Sequence, residues 1–177
     1  VVATLSNNTA NASIDLVVTA VNSPITWTAG SATWDLSAVN WRDAVATPTA
    51  YQQVSGLGDS VLFEESLSGA GPITVTLNTT VAPAAMTVSN VTKAYTLSGS
   101  GSVSGIGGLT KRGAGTLTLA TVNSFSGGVN LNGGTTVFSA LANLGTGGIT
   151  FGGGTLQYNG NADDLSVRTV TFASGGA

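Results

Sequence analysis

The side chains that could do chemistry are few. The chain of 177 residues contains no histidine and no cysteine, which removes the commonest general base, the thiol nucleophile and the usual zinc ligands. Its acidic residues include two adjacent pairs, Glu64-Glu65 and Asp163-Asp164. Neighbours on a strand point to opposite faces, so neither pair predicts a catalytic dyad and both are expected to be solvated. The sequence therefore predicts a protein that is not an enzyme and has no cofactor.

Oxygen-rich side chains cluster in the segment NGNADD at 159–164, and Arg168 follows shortly after. Such oxygens suit Ca²⁺, and acidic clusters beside an arginine occur in β-helices that cleave polysaccharides. The spacing matches neither the EF-hand loop nor the glycine-rich nonapeptide calcium repeat. We predict neither a metal site nor lyase activity here.

The three tryptophans, Trp27, Trp34 and Trp41, are seven residues apart. Exposed rings at this spacing could stack on sugars and bind a glycan. Alternatively, the rings could cover the apolar end of a β-structure, with each indole N–H bonded to a polar partner. The second interpretation is favoured, and the first remains open.

The charges of the chain exclude several partners. The net charge is −3, with five scattered Lys and Arg residues, which cannot neutralise a run of phosphates. The basic pair Lys111-Arg112, in LTKRG, is too small for a membrane patch and is expected in a solvated turn. No apolar run is long enough for a membrane helix. We expect no nucleic acid and no membrane insertion; the cysteine-free, Thr- and Asn-rich composition indicates an extracellular or cell-surface protein.

The residues that carry the fold recur about every 20 positions. Glycine columns occur at Gly107, Gly127 and Gly147, and at Gly113, Gly133 and Gly153. Three apolar columns keep the same step: Leu77, Leu97, Leu117, Val137 and Leu156; Val88, Leu109, Val129, Ile149 and Val170; and Met86, Ile106, Phe125, Leu144 and Leu165. A period of this size indicates a solenoid.

Within each unit apolar residues alternate with polar ones, as at Val129 and Leu131, which is typical of strands with one buried face. A unit of about 20 residues is too short for a βαβ crossover. We therefore predict an all-β protein, a parallel β-helix (β-solenoid) with about 20 residues per coil. The threonines before the first apolar column, such as Thr116 and Thr136, are expected on the outer face.

The segment GLTKRGAGTLTLATVNSFSGGVNLNGGTTVFSA, 108–140, resembles the autotransporter-associated β-strand repeat, also called the passenger-associated transport repeat. The resemblance rests on a Gly-x-Gly-Thr-Leu-x-Leu segment at 113–119 followed by Asn123, an aromatic residue and Ser-Gly-Gly at 126–128. It covers about a fifth of the chain. It implies a right-handed β-helix in a large bacterial surface or secreted protein, and it implies no particular activity.

Three regions follow from these patterns. Residues 67–177 are predicted to form the solenoid, and residues 23–66 a tryptophan-containing cap, because ITWTAGSATWDLSAVNW and GLGDSVLF resemble the segment that often opens such repeats. Residues 1–22 are predicted to be an extended arm and resemble the last strand of an immunoglobulin-like module. The apolar face of Ile14, Leu16 and Val18 has no evident hairpin partner, so the arm could pair on the solenoid's flank or be donated to a neighbouring subunit.

The other end raises the same question, since Val170 and Phe172 would lie on an open terminal coil without a polar cap. Either the chain continues or another copy covers this end, and head-to-tail stacking would build a filament. The sequence therefore predicts a structural protein of a bacterial surface fibre or adhesin, with copies of itself as its partners. A carbohydrate-binding module and a passive stalk of a giant secreted protein remain as alternatives.

Overall fold

The computed structural model describes residues 2–10, 13–20, 24–66 and 71–173. These residues form strands and two short 3-10 helices, Leu141–Leu144 and Leu165–Val167. In chain order the strands are β1 (Val2–Asn8), β2 (Ser13–Ala20), β3 (Ile25–Trp27), β4 (Ala32–Trp34), β5 (Trp41–Arg42), β6 (Pro48–Thr49), β7 (Gln53–Val54), β8 (Leu57–Gly58), β9 (Val61–Glu64), β10 (Ile73–Leu77), β11 (Thr80–Val81), β12 (Met86–Ser89), β13 (Tyr95–Ser98), β14 (Ser102–Val103), β15 (Leu109–Arg112), β16 (Thr116–Leu119), β17 (Val129–Leu131), β18 (Thr135–Phe138), β19 (Ile149–Phe151), β20 (Thr155–Tyr158) and β21 (Val170–Phe172).

Two sheets form the walls of a β-solenoid. One has six strands in the order β20-β18-β16-β13-β10-β4, and the other has nine in the order β21-β19-β17-β15-β12-β9-β3-β5-β6. The chain passes from one sheet to the other and back, so each strand pairs in parallel with its equivalent one coil away. The short parallel pair β11–β14 forms a third side in the early coils. The all-β solenoid predicted from the repeat is confirmed.

The interior is filled by the alternate residues of each strand. In the nine-stranded sheet Val61, Met86, Leu109, Val129, Ile149 and Val170 lie opposite one another in succession. In the six-stranded sheet the corresponding ladder is Ile73, Tyr95, Leu117, Thr136 and Leu156. The apolar alternation thus places side chains inward as expected from strand geometry.

The spacing of the coils is less regular than the sequence columns. Successive steps along the nine-stranded ladder are 25, 23, 20, 20 and 21 residues, because the early coils also hold the third side. Val88 therefore lies opposite Lys111 and not Leu109. Ile106, predicted to be internal, is 75% exposed, and Thr136, predicted to face outward, is fully buried.

The tryptophans lie inside the first coil. Trp27, Trp34 and Trp41 are at most 1% exposed, and the ring centroids of Trp34 lie 5.2 Å from Trp41 and 5.3 Å from Tyr51. The rings offer no exposed face to a sugar, which corrects the glycan-stacking expectation. Trp27 Nε1 donates a hydrogen bond to Gly30 O at 2.8 Å. Against expectation, the indole N–H groups of Trp34 and Trp41 have no partner among the described residues.

Strands from the tryptophan region belong to the solenoid walls. β3 and β4 extend the two sheets, and β9 pairs in parallel with β12. The ladders therefore begin before residue 67. β5 and β6 then cover the edge of β3 by antiparallel pairing, so this end of the nine-stranded sheet is closed by short strands.

The N-terminal arm is a hairpin. β1 and β2 pair antiparallel, with Leu16 opposite Leu5 and Val18 opposite Ala3, so the expectation that β2 lacks a nearby partner was wrong. The pairing joins backbones of opposite direction, which a short turn allows. The side chains of Ile14, Leu16 and Val18, on which the predicted apolar face depends, lie outside the described residues.

Phe63 joins the tryptophan cluster to the repeat. It is fully buried, and its ring lies 5.4 Å from Trp41 and 5.6 Å from Tyr95. We expect Phe63→Ala to lower the free energy of unfolding by about 3–5 kcal/mol through lost contacts and a residual cavity, measured by chemical denaturation. Val122→Ala, at a site 67% exposed, should change it by less than about 0.5 kcal/mol. Equal effects of the two substitutions would contradict the packing described.

Candidate functional site

The terminal coil exposes side chains that are buried one coil earlier. Ile149 is 1% exposed, whereas Val170, opposite it on the last strand, is 38% exposed and Phe172 is 77% exposed. The ring of Phe172 stacks on Phe151 with centroids 5.3 Å apart and planes at 19°. On the other sheet Tyr158 is 37% exposed. Within the described chain, the outer edges of β20 and β21 also have no partner strand.

Arg168 attaches the terminal coil to the coil before it. Its Nη1 donates to Gly147 O at 2.7 Å, and its Nη2 donates to Leu141 O at 3.3 Å and to Gly145 O. Hydrogen bonds from a guanidinium are charge-assisted and therefore among the stronger ones. These bonds hold the last described coil to the coil before it.

The acidic segment at 159–164 is a hydrogen-bonded turn. Asp163 Oδ2 accepts from the Tyr158 hydroxyl at 3.0 Å, and Asp164 accepts from the backbone and side chain of Ser166. The Ser166 bonds lower the pKa of Asp164. Across the described residues no three His, Cys, Asp or Glu side chains come together as a metal site would require.

Exposed apolar side chains also occur at the opposite end. Leu36, Val39 and Val45 lie in the connections between β4 and β6, and Val54 lies in β7. They are between 39% and 81% exposed. Single exposed aliphatics need no explanation, but groups of them mark contact sites. Both ends of the described sheet stack therefore carry exposed apolar side chains.

Lys111 is buried inside the solenoid, which corrects its predicted place in a solvated turn. Its side chain has no exposed surface, and Nζ donates to Arg112 O at 2.7 Å, Gly113 O at 3.0 Å and Gly133 O at 3.4 Å. Burial lowers its pKa to about 8. The alternation within β15 could have revealed this position, because Lys111 follows the inward-facing Leu109 by two residues.

A buried asparagine pair links three coils. Asn123 Oδ1 accepts from Val103 N at 2.9 Å, and Asn123 Nδ2 donates to Asn143 O at 2.7 Å. Asn143 in turn donates to Thr121 O at 2.8 Å and accepts from Ala140 N at 2.8 Å. Buried polar groups need such partners. Sequence reasoning missed this pair, although the 20-residue step between the two asparagines was a signal.

The two glutamates of the first pair have separate roles. Glu64 Oε1 lies 3.0 Å from Arg42 Nη2. Glu65 accepts from the backbone N–H groups of Val91, Thr92 and Lys93. Desolvation raises the pKa of Glu65, but these bonds and the Thr92 hydroxyl outweigh it and lower the pKa to about 2. Glu65 therefore anchors the corresponding turn of the next coil.

These features define a β-solenoid. Its strands stack in parallel, its corners hold buried polar groups, and aligned ladders of side chains fill its interior. Within it, residues 109–138 match the model of the passenger-associated transport repeat. The chain thus carries a repeat of this family, and the resemblance predicted from the sequence is confirmed over β15 to β18. Searches of curated proteins and of solved structures returned no match. The described part of the chain contains no helix long and apolar enough to cross a membrane.

The buried lysine predicts a measurable pH dependence. The pKa of Lys111 is about 8 in the folded chain, compared with 10.5 for an unperturbed lysine, which represents the unfolded chain. Between these values the unfolded chain binds one more proton than the folded chain, so the free energy of unfolding should rise as pH increases. We expect denaturant titrations to show this rise from pH 8 to 9, where unfolded tyrosines, with a pKa near 10, are still mostly protonated.

In Lys111→Met the rise should disappear, whatever the variant's stability at pH 7. Lys93→Met serves as the matched control and should keep the rise. A variant at position 111 whose stability still increases over this pH range would show that another group is responsible.

Proposed function

We propose that the chain is a structural segment of a bacterial surface or secreted fibre or adhesin and that it has no enzymatic activity. Its solenoid is right-handed, with coils of about 20 residues in the repeat region, and its contacts are end-to-end and through strand edges. The match to the passenger-associated transport repeat over 109–138 supports an extracellular location.

The terminal coil carries this proposal. Val170 and Phe172 continue the inward ladders, yet they are 38% and 77% exposed. Covering a side chain of this size is worth about 1.5–3 kcal/mol. A further coil placed on β20 and β21 would bury both residues and pair the edges of both strands, whether it belonged to this chain or to another copy. We propose that another copy supplies it.

The exposed apolar side chains of the cap would contact the coil that contains β20 and β21 of the next copy. Leu36, Val39 and Val45 are exposed at the end where β4 and β6 are the last strands. A contact between unlike ends is heterologous, and such contacts build open filaments when the rotation does not close. The hairpin β1–β2 could add strand-edge contacts by augmenting a neighbour's sheet.

We expect the chain to form elongated assemblies that grow with concentration, followed by sedimentation velocity and negative-stain electron microscopy. Phe172→Asp should shift it to monomer, because a buried, unpaired carboxylate would oppose the contact. Val122→Asp introduces the same charge at a similarly exposed residue away from both ends, and it should assemble normally. A wild-type chain that stays monomeric at high concentration would contradict self-assembly.

A further inference from the structure

A groove of about 320 Å³ crosses successive coils on the outer side of the nine-stranded sheet. It lies at the starts of β17, β19 and β21, and its lining includes Ser126, Gly128, Asn130, Thr150, Thr169 and Thr171. The volume falls within the range of small-molecule and cofactor sites. The proposed stacking of ends does not use this surface.

Coil packing keeps the floor of the groove empty. Gly128 has a φ of +81°, and a Cβ there would approach Gly148 O to 2.8 Å. Gly148 is itself close to the next coil, since its Cβ would lie 3.1 Å from Thr169 O. A side chain is therefore excluded at Gly128, and one at Gly148 would press against the next coil. The floor carries no side chain at either position.

One wall of the groove is a ladder of polar side chains in register. Asn130 lies opposite Thr150, and Thr150 lies opposite Thr171. The ladder continues in the other direction to Thr110, which lies opposite Asn130. Neighbouring rungs are about 4.8 Å apart. Each of Asn130, Thr150 and Thr171 follows a residue of the inward ladder by one position. Their amide and hydroxyls therefore lie on the outer face, where a ligand can reach them.

The chemistry of the lining selects the ligand. No charged and no aromatic side chain lines the groove, so an ionic ligand would lose hydration without gaining a counter-charge. An extended peptide is also disfavoured, because it would need free backbone groups. The floor has already used them, with Val129 N bonded to Gly148 O at 2.9 Å and Ile149 N to Thr169 O at 2.8 Å.

We propose that this groove binds a neutral polysaccharide strand that runs along the solenoid axis. The hydroxyls and the amide of the wall donate hydrogen bonds to sugar hydroxyls and accept them. Because each coil contributes one polar side chain to the wall, the same contact recurs along a repeating polymer. The site is distinct from the buried tryptophans. It gives the solenoid a lateral adhesive surface that does not depend on end-to-end assembly.

The test is native affinity electrophoresis of the full chain in gels that contain one of three neutral polysaccharides: dextran, laminarin or galactomannan. A gel that contains alginate, an anionic polysaccharide, serves as the comparison. We expect at least one neutral polysaccharide to retard the protein and alginate to leave it unaffected. The double variant Asn130→Leu/Thr150→Val keeps the shape of the wall but removes its hydrogen bonds. It should weaken binding roughly tenfold, as expected for two lost hydrogen bonds.

The matched control is Thr96→Val/Thr118→Val, because these threonines are paired on the outside of the six-stranded sheet, away from the groove. It should bind as the wild type does. Both variants are checked for an unchanged circular dichroism spectrum and melting temperature. Absence of retardation in all three neutral gels, equal weakening by both double variants, or retardation by alginate alone would each overturn the proposal.

Discussion

The close approach of one coil to the next constrains the whole structure. Parallel ladders hold strands about 4.8 Å apart, and at the corners the backbones of adjacent coils come as near as the sheets do. A Cβ at Gly107 would lie 2.2 Å from Pro83 O, and one at Gly113 would lie 2.2 Å from Asn90 O. These glycines cost backbone entropy, but no other residue fits. At these two positions the glycine is therefore a consequence of stacking, whereas Gly153 is favoured by its φ of +119°. The outer groove is a consequence of glycines such as Gly128.

Tight corners create a second demand, because some of their carbonyls turn inward where water does not reach. An unpaired buried carbonyl costs about as much as a lost hydrogen bond. The chain meets this demand differently from coil to coil. Lys111 supplies an ammonium to three corner carbonyls, whereas Leu131, opposite it in the next coil, is apolar and fully buried. Asn123 and Asn143 provide donors and acceptors at another corner. The interior is thus apolar, and Lys111, Asn123 and Asn143 place polar groups where the backbone requires them.

The sequence predicts the fold class well, because two patterns are visible without knowledge of tertiary contacts. One is the alternation of apolar and polar residues within a strand, and the other is the repeat of about 20 residues. It predicts individual positions less well where coil length changes. Ile106 belongs to an apolar column by count, but the extra residues of the third side shift it to the surface, 75% exposed. The charge of Lys111 predicts a place in solvent. However, Lys111 is two residues after Leu109 on the same strand, so both side chains point inward. The sequence does not reveal the hairpin partner of β2, because the connection that follows β1, Val2–Asn8, carries no strong turn signal. Composition alone could not show that the tryptophans are buried, since ring exposure depends on which coil covers them.

The two candidate surfaces meet on a single strand. In β21, Val170 and Phe172 face the interior ladders and are left open at the end of the stack, while Thr171, between them, faces outward and forms the last described rung of the groove. Alternation along a strand makes this unavoidable, because adjacent residues must point to opposite faces. Any coil that covers Val170 and Phe172 in register therefore also places a residue beside Thr171, and a polar residue at that position would lengthen the polar wall. The groove is complete within one chain, so binding along it needs no stacking. A longer solenoid with polar residues at the same positions would present a longer groove, with its polar side chains at the spacing of the coils.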